Sequence, residues 1–64
     1  MFIVKREGLW LMAYVWLEGS EIPVGLWGVH LNDAKLFERK TEVERIAGLI
    51  GKCEIFEAAK RGAR

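Results

Sequence analysis

The chain has one cysteine, one histidine and one proline in 64 residues. Each scarcity excludes something. A lone cysteine, Cys53, cannot close a disulfide within the chain, and it suits a reducing compartment. Cys53 and His30 together cannot fill a four-coordinate zinc site. His30 has no acidic or nucleophilic neighbour at a telling spacing, and Cys53 opens an alternating stretch as a small core residue would. GLWG (Gly25 to Gly28) lacks the lysine and the following helix of a phosphate loop. Ser20 lies in a turn without a nucleophile-elbow pattern. Glu42 and Glu44 suit a helix start, and Glu54 and Glu57 suit solvent-facing strand positions. The expectation is a non-enzymatic protein with no catalytic residues, no metal and no cofactor.

The chain also lacks an excess of charge. Ten basic and nine acidic residues leave a net charge of +1, too balanced for binding nucleic acid by global electrostatics. The bases thicken at the end, in KRGAR (Lys60 to Arg64). Residues 59–64 therefore read as a basic, solvated tail after one domain spanning 1–58. Finally, no apolar run is long enough to cross a bilayer. The longest, LWLMAYVWL, has nine residues, against ~20 for a spanning helix. It has no signal-peptide cleavage pattern. The expected setting is cytoplasmic, without a membrane.

What the chain does have is apolar surface, since 52% of its residues are hydrophobic. A domain this small buries only about 60% of its unfolded surface. With disulfide and metal closed to it, self-association or docking on a partner remains.

The local patterns give the elements. FIVKRE (Phe2 to Glu7) reads as a strand with Phe2, Val4 and Arg6 on one face. Glu7-Gly8 reads as a tight turn. The aromatic run Leu9 to Leu17 reads as a second strand, with a turn at Gly19-Ser20-Glu21. Ile22 to Leu31 predicts a less regular third strand. Pro23 marks its start or an edge, and Gly25 and Gly28 mark a bulge or a close backbone approach. Asn32 or Asp33 suits the cap of a helical turn, and LFER suits a short strand. Thr41 and Glu44 fit a capping box. Val43, Ile46, Ala47 and Ile50, widened by Leu49, form a helical stripe closed by Gly51. Cys53 to Ala58 reads as a last strand. The sum is an α+β domain: a small antiparallel sheet of three to five strands with one α-helix packed on one face.

A resemblance accompanies this reading. FIVKREGLWL (Phe2 to Leu11), NDAKLFER (Asn32 to Arg39) and EVERIAGLIG (Glu42 to Gly51) resemble pieces of short open reading frames common in phages and prophages. The pattern is F-x-V-K-x-x-G-x-[WY]-L, then D-A-x-x-F, then E-x-E-x-I-A-x-x-[IL]-G, and it covers about half the chain. Val43 stands where alanine is usual, and GSEIPVGLWGVH lies outside the pattern. The resemblance implies a phage accessory protein that binds a host complex, such as a defence nuclease or a polymerase. It assigns no functional residue.

Strict alternation in the second strand puts Leu9, Leu11, Ala13, Val15 and Leu17 toward the helix. Trp10, Met12, Tyr14 and Trp16 then share the open face, where the rings exceed the apolar patch a monomer usually exposes. Trp and Tyr are enriched in binding hot spots. The candidate partner-binding residues are therefore Trp10, Tyr14, Trp16 and Trp27, with Arg39 and Lys40 as rim charges. The partner is a host protein or a second copy. Equally, a curled sheet or the 19–31 segment folds over the rings and makes them core. A third reading uses the same rings to stack single-stranded nucleic acid, with Lys5, Arg6, Arg39 and Lys40 supplying charge. Against it, the aromatic strand carries no base and no RNP-type motif is present.

Overall fold

A computed structural model describes residues 1–58; the basic tail expected at 59–64 lies outside them. Its elements are β1 (Phe2–Arg6), β2 (Leu9–Val15), β3 (Val24–Gly28), a 3-10 turn (Leu31–Asp33), α1 (Lys40–Ile50) and β4 (Glu54–Glu57). The strands form one sheet in the order β3-β2-β1-β4, antiparallel throughout. The α+β architecture read from the sequence is the one observed.

The first hairpin follows from local chemistry. Arg6 pairs with Leu9 across a two-residue loop. Glu7 and Gly8 both take positive φ, 51° and 81°, the backbone whose twist matches a tight hairpin. Beyond Trp10 the two strands part, and the gap is filled from elsewhere. The Phe2 and Phe37 backbones exchange two hydrogen bonds of 2.7 and 2.8 Å, and the Lys35 N–H donates to the Leu11 carbonyl at 2.8 Å. Lys35–Phe37 is thus a wedge between β1 and β2. The strand expected at LFER is reduced to this one bridge at Phe37.

α1 packs over β1 and β4. Its stripe closes on the core of Val4, Leu11, Phe37, Val43 and Ile46. Burial of such side chains contributes roughly 1.5–3 kcal/mol each. Leu49 does not widen the stripe; it stays exposed. The capping box is not formed. α1 starts at Lys40, its cap residue is Arg39, and no side chain caps it. Starting earlier puts Thr41 inside the helix, where its hydroxyl no longer meets a free amide at the right offset. Likewise the 3-10 turn takes His30 as its cap residue, with Asn32 and Asp33 inside the turn. At the other end Gly51, at φ 90°, donates its N–H to the Ala47 carbonyl at 2.8 Å and closes the helix.

β3 is shorter than Ile22 to Leu31, and β2 ends at Val15. The bulge expected near Gly25 and Gly28 lies instead across the ladder, in β2. Leu11 pairs with Trp27 and Ala13 with Leu26, so Met12 is the extra residue. Both glycines mark close approaches. A methyl group at Gly25 would stand 2.8 Å from the Trp27 indole nitrogen and 2.9 Å from Leu11 Cδ1, and one at Gly28 would collide with the Met12 sulfur.

Two candidate binding surfaces on opposite faces of the sheet

The bulge decides where the rings go. A β-bulge sets two residues of one strand against one of its partner, so the alternation slips by one. Upstream of Met12, Leu9 and Leu11 point toward the helix and Trp10 away from it. Downstream, Tyr14 points toward the helix and Ala13 and Val15 away. The single face expected for Trp10, Tyr14 and Trp16 is therefore split. Trp10 alone remains on the open face. The expected aliphatic contribution of Ala13 and Val15 to the helix side is lost with it.

The open face is largely apolar. Trp10 is half-buried there, with the Lys5 ammonium 5.0 Å from its ring centre and Phe56 edge-on at 5.9 Å. Register places Lys5 opposite Glu54. Met12, Val15, Val24, Leu26 and Phe56 share this face and are exposed. At one end Ile3, Leu31, Ala34, Leu36 and Glu57 line a groove of about 420 Å³.

The helix side carries the remaining rings. Tyr14 stacks on buried Phe37 with centroids 6.1 Å apart and planes 5° from parallel. Its hydroxyl donates to Glu42 Oε2 at 3.0 Å. Desolvation raises the Tyr14 pKa, and the hydrogen bond and negative charge of Glu42 raise it further. Glu42, read as a helix-start residue, therefore anchors β2 to the helix. Trp16 stands edge-on to Tyr14 at 6.5 Å and is exposed. Trp27 is half-buried against the core, with its indole over Gly25 and the Arg6 guanidinium 5.3 Å from its ring centre. The Lys35 ammonium lies 5.8 Å from the Tyr14 ring centre and 5.3 Å from that of Phe37. Arg39, Thr41, Glu42 and Arg45 line an adjoining recess of about 340 Å³. Lys40 is exposed beside it, at the first position of α1.

Of the six residues singled out from the sequence, the structure joins Tyr14, Trp16 and Trp27 on one side, near Arg39 and Lys40, and sets Trp10 apart. Reading the sequence missed Lys35 and Arg45, which looked like ordinary helix and turn surface. It also missed the charge-free strand VGLWG as a source of open-face surface. The absence of any charge from Val24 to Gly28 was a signal; the bulge at Met12 left none.

Among the described residues, no three His, Cys, Asp or Glu side chains converge as a metal site would require. Cys53 is half-buried. Its thiol donates to the Gly51 carbonyl at 3.3 Å, and burial pushes its pKa up, against the lowering effect of Arg6. No helix among the described residues is long and apolar enough to cross a membrane. The fold and the surfaces together define a small antiparallel α+β domain with two dissimilar sheet faces. No protein-family model, curated protein or solved structure matches the chain.

Proposed function

We propose that the protein is a non-enzymatic module that binds another protein through its open sheet face. The observation that carries this reading is the uncovered row of Met12, Val15, Val24, Leu26 and Phe56 beside Trp10. An antiparallel sheet with one bare face normally alternates apolar and polar residues. Here the bare face is apolar across three strands, with Lys5 opposite Glu54 as its charged pair, which suits an apolar protein surface better than a polyanion. The resemblance to short phage reading frames supports a bacterial host complex as the partner. A second copy of the chain would use the same face.

The test compares the wild-type chain with Leu26→Glu. Leu26 is 51% exposed, so the substitution leaves the core intact. Light scattering at two concentrations reads self-association, and affinity capture from bacterial lysate reads a partner. A protein captured by the wild type and lost with Leu26→Glu supports the proposal. A dimer that Leu26→Glu makes monomeric assigns the face to a second copy. A monomer with identical capture profiles for both chains overturns it.

A further inference from the structure

The helix side of the sheet offers a different chemistry from the open face. Its rings and cations form one continuous strip. Arg6 lies on Trp27, and Trp27 covers Gly25. Gly25 pairs with Tyr14 across the β2–β3 ladder. Tyr14 meets Trp16, Lys35 and Glu42. Glu42 shares its recess with Arg39 and Arg45. Four cations thus flank three rings. The one carboxylate within the strip, Glu42, is already held by the Tyr14 hydroxyl.

We infer that this strip binds single-stranded nucleic acid. A ring with a free face accepts a base of any sequence, and flanking cations meet the phosphates. Trp16 supplies the most open ring, being 47% exposed and edge-on to Tyr14. Trp27 and Tyr14 each have a cation already placed over the ring, beside where a phosphate would run. From Leu9 to Trp16 the strip follows β2 for roughly 20 Å, enough for a short site of about four nucleotides. The balanced charge of the whole chain counts against this ligand only while the charge is taken as evenly spread. The fold gathers Arg6, Lys35, Arg39 and Arg45 on one side, around Trp27, Tyr14 and Glu42. The surface lies opposite the face proposed for protein binding, so the two readings stand or fall separately.

The experiment is fluorescence anisotropy of a labelled twelve-nucleotide oligo-dT, titrated with the full chain in 50 mM and 200 mM salt. Four phosphate contacts predict a log–log salt slope of about −3. Affinity should then fall about 50-fold between the two conditions. Trp16→Ala should weaken binding about tenfold, and the double variant Arg39→Ala/Arg45→Ala should flatten the salt slope. Phe56→Ala, on the open face, should leave the affinity unchanged. Absence of binding at 50 mM salt with 100 µM protein, taken as roughly the weakest non-specific affinity, overturns the inference. So does equal binding of duplex DNA or of an oligoglutamate, and so does binding that ignores Trp16→Ala but not Phe56→Ala.

Discussion

Phe37→Ala tests the wedge on which the sheet depends. Phe37 is 1% exposed, stacks on Tyr14 and belongs to the five-residue core. Truncating a buried phenylalanine costs about 3–5 kcal/mol, transfer and cavity together. At typical per-residue stabilities a chain of this length has roughly 3–10 kcal/mol in all. The variant should therefore keep only a small part of its stability. With a urea slope of about 1 kcal/mol/M for so small a domain, the unfolding midpoint should fall by about 3 M or more. Circular dichroism and tryptophan fluorescence, followed together in urea, read this directly. Leu36→Ala is the control, because Leu36 is 37% exposed on the other side of the same segment; it should cost less than about 1 kcal/mol. The two Phe2–Phe37 backbone bonds do not depend on the ring, so the difference between the variants isolates packing. A Phe37→Ala chain within about 1 kcal/mol of wild type would refute the assignment of Phe37 to the core. So would a Leu36→Ala cost larger than that of Phe37→Ala.

Two further outcomes are expected. Tyr14 is the only tyrosine, so absorbance at 295 nm follows it alone. The native midpoint should lie above 10.0 and return to the ordinary value in guanidinium, because burial, then Glu42, favours the neutral phenol. The folded form then holds its proton longer than the unfolded chain, so the Tyr14 contribution is intact below about pH 10 and is lost as pH rises through the raised folded value. A native midpoint at or below 10 would contradict the partly buried Tyr14–Glu42 contact. Gly25→Ala should destabilise by about 1–3 kcal/mol, since its methyl meets the Trp27 ring and fully buried Leu11. Gly28→Ala should cost less than about 1 kcal/mol, because the exposed Met12 thioether can swing aside. Equal costs in thermal melts would count against the close approach at Gly25.

The pieces whose causes are local were legible in the chain order. The Glu7-Gly8 turn needs positive φ, the stripe of Val43, Ile46, Ala47 and Ile50 needs a helix, and Gly51 ends it. Alternation in Phe2–Arg6 put Phe2, Val4 and Arg6 on one face, and the structure buries Val4. Those interactions lie within a few residues, so their pattern is written in the chain order. The fate of the aromatic run was not legible there. Nine consecutive apolar residues carry no alternation to betray a bulge, and both registers bury something apolar. The choice falls to partners distant in sequence: Trp27 and Gly25 across the ladder, Phe37 stacking on Tyr14, and Glu42 receiving its hydroxyl 28 residues away. They also bring Arg6, Lys35, Arg39 and Arg45, apart in the chain, to the side that carries Trp27, Tyr14 and Glu42.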